Sequence, residues 1–374
     1  MGLESSYTER LRKRLEGSAL LNVPVIFGLG SGGGRVLAKL SIPRLRAIKV
    51  AINSSARDLK QIEPSVDLVI PCGDLGGSGM MPEKGREDYL EVAELVPRVV
   101  EKACEACGCA EPDIVVTVAS LGHGFGSGAL PEHLKVIKES FPRSVQLVFA
   151  ITPFHFEGWD PLVRAFNSLK ESTKYATVFP LSNQVASLKL GQDLNKVKLD
   201  DVYEAINSRV AEALGTLFDS LTTSEGVKMG MDKSDLRNIL KGELGAVGVA
   251  KYPSLSGLTV ERVLNDLASS IYVRIVAGPE GLYGAYIIDS GSPVPLALIN
   301  ELSRELILKW SFRSQFLKPL IIERPKPEST ILVIMTNILF GKHAEREIFS
   351  QLFGLYLGDY WSKLLVKKLK ELFK

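Results

Sequence analysis

Two glycine-rich loops, each running out of an apolar stretch and into a helix, constrain this chain more than any other feature. Residues 23–29 form a continuous apolar run that passes into Gly28-Leu29-Gly30-Ser31-Gly32-Gly33-Gly34, after which Val36, Leu37 and Leu40 return at helical spacing. Residues 114–119 repeat the plan. They lead into Ser120-Leu121-Gly122-His123-Gly124-Phe125-Gly126-Ser127-Gly128, with a second helix beginning near Ala129-Leu130-Pro131. An apolar run, then glycines, then a period of three to four residues reads as strand, loop and helix.

The same alternation continues along the chain. Buried strands are expected over 48–52, ending at Asn53, and over 67–70, 145–152 and 177–181. A helix is expected over 89–107, carried by Leu90, Ala93, Val96, Val100 and Ala103. Short β-branched runs alternating with helices predict an α/β fold with a parallel, Rossmann-like sheet. From 201 to 222 the positions Val202, Ile206, Val210, Leu214, Leu217 and Leu221 keep a helical period, predicting one long, half-buried helix. Beyond it, strands over 272–277, 283–289 and 330–338 and helices over 293–308 and 345–356 predict a second, smaller α+β domain. A short helix over 7–21 precedes the first strand.

Composition excludes several classes. The 374 residues carry 45 Lys plus Arg against 43 Asp plus Glu, a balance without the cation surplus that neutralising nucleic-acid phosphates requires. No apolar run reaches the roughly 18 to 20 residues of a membrane span, and the polar start has no signal-peptide core, so a cytoplasmic protein is expected. Met1-Gly2 through Ser6 fits a myristoylation pattern too short to carry weight. Cys104, Cys107 and Cys109 lie close together, but neither Cys72 nor the four histidines complete a zinc set, so they are expected to be small buried thiols at a helix end.

Gly28, Gly30 and Gly33 satisfy G-x-G-x-x-G, in which bare amides and a helix N-terminus meet a phosphate. A dinucleotide fold also wants an acid at the end of the second strand, and Asn53 stands there. A Walker loop is excluded because no Gly-Lys-Ser or Gly-Lys-Thr follows a glycine run. The second loop decides the matter, since two glycine loops on one sheet can clasp a polyphosphate, and Ser127 adds a hydroxyl for a phosphate oxygen or a magnesium-bound water.

With these motifs in order, the chain resembles the tubulin/FtsZ superfamily of GTPases. The second loop, Gly122 to Gly128, is similar to the family's GGGTGTG signature, with His123 and Phe125 in place of Gly and Thr. Gly76-Gly77-Ser78-Gly79 resembles the loop near the γ-phosphate, Ala51-Ile52-Asn53 the AIN segment, Pro153-Phe154-His155-Phe156-Glu157-Gly158 the PFxFEG loop beside the ribose, and Leu181-Ser182-Asn183 the strand end nearest the base. The likeness spans about residues 23 to 250. It implies GTP or GDP with Mg²⁺ as ligands, held by Gly28, Gly30, Ser31, Gly32, Gly33, Asn53, Gly77, Ser78, Gly79, Gly122, His123, Gly124, Phe125, Gly126, Ser127, Gly128, Pro153, Glu157, Asn183, Tyr203 and Asn207. Ser55 and Ala56 depart from the family's usual Asp. The arginine that follows PFxFEG is replaced by Trp159-Asp160-Pro161, with Arg164 further on.

Tyr203 and Asn207, four residues apart on one helix face, suit a guanine: a ring to stack and an amide that both donates and accepts. Gly230-Met231-Asp232-Lys233-Ser234-Asp235 resembles the family's NxDxxD loop with Gly230 for Asn. Read as residues alone, Asp232 and Asp235 are either helix caps or catalytic acids. The resemblance implies the second, with Asp232 and Asp235 completing a neighbour's site in a head-to-tail filament of this chain and hydrolysing GTP there. The implied organisation is a GTP-binding domain over 1–200, a connecting helix over 201–222, an α+β domain over 223–340 and a helical tail over 341–374. An archaeal origin is the family impression. In the tail, residues 360–374 place Leu364, Leu365, Leu369 and Leu372 opposite Lys363, Lys367, Lys370 and Lys374, which fits either a docked helix or membrane contact. Two other functions stay open: a GTP-binding scaffold that hydrolyses little, and an NAD-dependent oxidoreductase built on the first loop alone.

Overall fold

A computed structural model of the chain describes residues 21–41, 47–189, 198–223, 225–240, 242–273, 277 and 281–338. The helices expected over 7–21 and 345–356, the myristoylation pattern and the tail over 341–374 lie outside these residues, apart from Leu21.

The first half builds the expected parallel sheet. β1 (Val25–Leu29), β2 (Ile48–Asn53), β3 (Leu68–Pro71), β4 (Ile114–Ser120), β5 (Val145–Thr152) and β6 (Thr177–Ser182) pair in parallel in the order β3-β2-β1-β4-β5-β6. The chain steps outward from β1 to β3, then returns to place β4 on the other side of β1. Crossovers therefore diverge between β1 and β4, leaving a crevice beyond their carboxyl ends, the usual ligand position in open α/β sheets. Both glycine loops leave the sheet there.

The helices follow the strands as α1 (Gly30–Lys39), α2 (Ala56–Ile62), α3 (Pro82–Leu90), α4 (Leu95–Cys107), α5 (Gly124–Ser140), α6 (Trp159–Ser172) and α7 (Asn183–Lys189). Alternation along β1 divides the core. Val25, Phe27 and Leu29 pack with Val96 and Val100 of α4, Leu134 of α5 and Leu162 of α6, whereas Ile26 joins Val36 and Leu37 of α1. That second cluster also holds α8 (Leu199–Thr222), whose Val202, Ile206, Val210, Leu214, Leu217 and Leu221 are all buried. At about 1.5–3 kcal/mol for each large aliphatic side chain removed from water, this face fixes α8 along the sheet.

The second half extends the same sheet. β7 (Val227–Met229) and α9 (Lys233–Ile239) follow α8, and β8 (Leu244–Tyr252) joins β6 through one parallel pair, Val178 with Leu244. After α10 (Val260–Ser270) come β9 (Leu282–Ser290), α11 (Leu296–Trp310), β10 (Phe312–Glu323) and β11 (Ser329–Ile338), giving the order β8-β11-β9-β10-β7. Among the described residues the sheet is continuous over eleven strands. α8 packs in one cluster with Leu147 and Phe149 from the first half and Ile287, Leu332 and Ile334 from the second, so it fastens both.

Two expectations change. The helix expected over 89–107 is two, α3 and α4, separated by turns over 91–94. Pro97 has no amide to donate to residue 93 and its ring crowds that carbonyl, so a ladder cannot run through from α3. Of the strand expected over 272–277, residues 274–276 lie outside the described ones; Tyr272 and Val273 are not in a strand, and Ala277 forms a bridge with Ile338.

Candidate functional site

The crevice is assembled from five loops at the carboxyl edge of the sheet. Gly30, at φ 69°, turns β1 directly into α1, and a Cβ placed on it would stand 3.6 Å from the Gly126 amide nitrogen. The first glycine loop therefore faces the N-terminal turn of α5. The other glycines divide into two kinds. Side chains on Gly28, Gly32, Gly33, Gly124, Gly126 or Gly128 would collide with neighbouring protein, in Gly126 with the Ser120 carbonyl oxygen and in Gly128 with that of Pro82. These residues are small so that α1, α5 and the loop before α3 can pack together. Gly77 and Gly79, both with positive φ, have nothing within 4 Å of a built Cβ and line open space. Gly122 lies between, its Cβ direction blocked by the Pro153 ring.

The loop over 73–81 is strapped in place. Gly77 donates its amide to the Ser54 carbonyl at 2.9 Å, the Ser54 and Ser78 hydroxyls meet at 2.7 Å, and Ser78 donates to Asp88. Lys84 bridges Asp74 and Asp88 at 3.2 and 3.3 Å. Ser31, expected on the phosphate, gives its hydroxyl proton to Asp58 of α2. Asp58 thus brings a carboxylate to the first loop, three residues past Ser55, where this chain lacks the family's usual Asp. The Ser127 hydroxyl accepts the Gly122 amide at 2.7 Å, which leaves its own proton to donate.

The two departures in the second loop have different fates. Phe125 is buried in the core with Tyr89, Leu121 and Ala129, its ring at 3.7 Å from the Cβ direction of Gly30. His123 is half exposed and its Nε2 meets Glu157 at 3.0 Å. Glu157 also accepts the Phe154 amide at 2.7 Å, so the second loop is tied to the segment expected beside the ribose. Arg164, one helix further on, reaches back to the Gly122 carbonyl at 3.4 Å.

Near the expected base position, Phe154 stacks on Phe156 and meets Tyr203 edge-on, with ring centroids 4.9 and 5.4 Å apart. Phe156 is 67% exposed, unusual for a large apolar ring. Burial pushes the Tyr203 phenol up to about 12, with Glu157 adding to the effect, so it stays a neutral donor. Asn183 and Asn207 are both buried. Several buried polar atoms at this edge have no partner among the described residues: Asn53 Nδ2 at the end of β2, Thr152 Oγ1 at the end of β5, His155 Nε2, and Asn183 Oδ1 after β6. Buried donors and acceptors without partners cost about 1–3 kcal/mol each, which a polar ligand in the crevice would recover. Open space at Gly77 and Gly79, the helix N-terminus that follows Gly124 and these orphaned groups fit a nucleotide.

The acidic loop lies at the other edge. Asp113, immediately before β4 and buried, receives Lys233 at 2.9 Å and Arg237 at 2.8 Å from α9, and accepts the Asn22 amide at 3.0 Å. α9 is therefore anchored to the amino end of β4, whereas the second glycine loop leaves its carboxyl end. Seven residues separate the two, about 20 Å of extended strand. Asp232 caps α9 by accepting the Asp235 amide at 2.6 Å, and Asp235 pairs with Lys318 of β10 at 3.1 Å. The capping anticipated for these acids holds for Asp232. Among the described residues, no group of three or more His, Cys, Asp or Glu is arranged to hold a metal ion, and no helix is long and apolar enough to cross a membrane.

Residues 25–187 match the family model described as Tubulin/FtsZ family, GTPase domain. That span resembles a tubulin/FtsZ-family GTPase domain. The chain is 28% identical over 347 residues to the tubulin-like protein CetZ of Pyrococcus horikoshii, covering 86% of this chain and 87% of that one. It is 27% identical over 284 residues to the cell division protein FtsZ of Pseudomonas aeruginosa, covering 70% and 66%. The chain shares the fold of CetZ2 from Haloferax volcanii, solved as a GTPγS-bound protofilament, with a TM-score of 0.71 at 20% identity over 93% of this chain and 99% of that one. The empty FtsZ dimer of M. jannaschii gives 0.67 at 19% identity over 90% and 92%.

Proposed function

We propose that this chain binds GTP in the crevice between β1 and β4, assembles head to tail with copies of itself, and hydrolyses GTP only where the acidic loop of one copy meets the crevice of the next. The observation that carries this reading is the separation along β4. The glycine loops and the acidic loop occupy opposite ends of one strand about 20 Å long, so Asp232 and Asp235 are out of reach of a phosphate in their own chain. A contact joining opposite poles of identical chains is heterologous, and such contacts propagate rather than close.

The bound nucleotide supplies the phosphoanhydride bond and most of the charge. The α5 N-terminus and the open backbone at Gly79 would receive phosphate oxygens, with the Ser127 hydroxyl proton free to donate. Asn183, Tyr203 and Asn207 would contact the base, and Asn53 and Glu157 the sugar side. Mg²⁺ would be held through the phosphates and water, because the described residues offer no carboxylate cage. Release of Asp235 from Lys318 would free its carboxylate to orient the attacking water.

The test is sedimentation and phosphate release with GTP for the wild type and Asp235→Ala. The variant should still sediment with GTP while phosphate release falls at least ~10²-fold, the scale of a lost general base. Normal hydrolysis by an assembled variant would remove the catalytic assignment. The capping of Asp232 and the pairing of Asp235 favour a second reading, a GTP-binding scaffold that turns over slowly. Turnover per molecule that rises with protein concentration excludes it.

A further inference from the structure

The end of α4 gathers three thiols that nucleotide chemistry does not use. Cys104 is buried on the core side of the helix as expected, but Cys107 and Cys109, at its very end, are half-buried and reachable from solvent rather than buried. Gly108, left-handed at φ 72°, closes the helix, and the Cys109 amide donates to the Cys104 carbonyl at 3.0 Å, so the turn is fixed rather than loose. That turn brings Cys107 Sγ to 2.7 Å from Cys109 Sγ and 3.3 Å from the Cys104 carbonyl oxygen. Cys109 lies four residues before Asp113, so the cluster sits towards the edge of the sheet where Lys233 and Arg237 dock. Cys72, the remaining cysteine, belongs to a different surrounding: burial, with Asp88 and Glu91 nearby, pushes its thiol up to about 12 and leaves it inert.

We propose that Cys107 and Cys109 are a redox modification site, closing to a reversible disulfide across Gly108 by exchange with a low-molecular-weight disulfide. Two free thiols held in sulfur contact with one residue between them need little rearrangement to bond. The Cys107 thiolate attacks one sulfur of the small disulfide and expels the first thiolate. The Cys109 thiolate then attacks the Cys107 sulfur of the mixed disulfide and expels the second. The protein dithiol loses two electrons and two protons, and the small disulfide becomes two thiols. Cys104 faces the core and is the bystander.

The experiment exposes the native, full-length chain to oxidised glutathione, then unfolds and alkylates it for intact mass and peptide mapping. The wild type should lose ~2 Da, take up alkylating agent at two of its four cysteines, and yield a linked Cys107–Cys109 peptide, all reversed by dithiothreitol. Cys104→Ser should behave as the wild type, and Cys107→Ser and Cys109→Ser should each retain a glutathione adduct instead. Four alkylated cysteines in the treated wild type, a stable glutathione adduct on it, or a bridge that uses Cys104 would each overturn the proposal. No nucleotide is present in the assay, so its outcome is independent of the GTPase reading.

Discussion

At the carboxyl end of β4, buried polar atoms of Asn53, Thr152 and Asn183 lack partners, whereas at its amino end Asp113, Asp232 and Asp235 are already held by Lys233 and Arg237, by a helix amide and by Lys318. The first end spends stability to be ready for a ligand. The second keeps its acids in intramolecular contacts that something else has to displace. A substitution should therefore damage binding more than folding at one end, and folding more than binding at the other.

The largest effect that tests this contrast is at the glycine loop itself. Gly126→Val drives a side chain into the Ser120 carbonyl, so it should cost about 3 kcal/mol or more and abolish nucleotide binding together, read by denaturant melts and nucleotide titration. Behind the loop, His133 in α5 is fully buried against Phe27 and Tyr89, and burial depresses its imidazole to about 3. As pH falls below the ordinary histidine value of about 6.5, the unfolded chain takes up a proton that the folded chain refuses. Stability should be complete above that value and decline by about 1.4 kcal/mol per pH unit, reaching about 3 kcal/mol by pH 4, with a flatter profile in His133→Gln.

At the amino end, Asp113→Ala removes the partner of two cations and should cost about 2 kcal/mol in denaturant melts, with nucleotide affinity of the unassembled chain unchanged. Asn53→Ala is the mirror case. Since its Nδ2 has no partner, the melting midpoint should hold or rise while nucleotide affinity drops about tenfold by titration. A fall in stability with unchanged affinity there would break the contrast. The smallest effect belongs to His123→Gly. Its pair with Glu157 is half exposed, so stability should change by less than about 1 kcal/mol, and any shift in nucleotide affinity measures what the pair does at the mouth of the crevice.

Much of this was legible in the sequence because buried parallel strands are written as short β-branched runs. β1, β2, β4, β5 and β6 fall within a residue or two of their expected ends, and so does α8. The second half was less readable. β8 mixes Gly245, Ala246 and Gly248 with its valines, and β10 carries Arg313, Gln315, Lys318 and Pro319 at exposed or half-buried positions, so neither shows a clean apolar run. At the crevice, residue types were visible and partnerships were not. Ser31 turning to Asp58, His123 turning to Glu157 and Arg164 reaching Gly122 join positions that only the fold brings together. The spacing of the cysteines was plain, but half-exposure of Cys107 and Cys109 depends on how α4 lies on the sheet.

The glycines that make the second loop recognisable are held there by their neighbours' backbone. Gly124, Gly126 and Gly128 would each strike a carbonyl if they bore a methyl group. A descendant that had abandoned nucleotides altogether would still be obliged to keep these three, so their persistence records an architectural debt and says little about turnover. Gly77 and Gly79, which nothing in the protein crowds, are where drift would first betray a lost ligand.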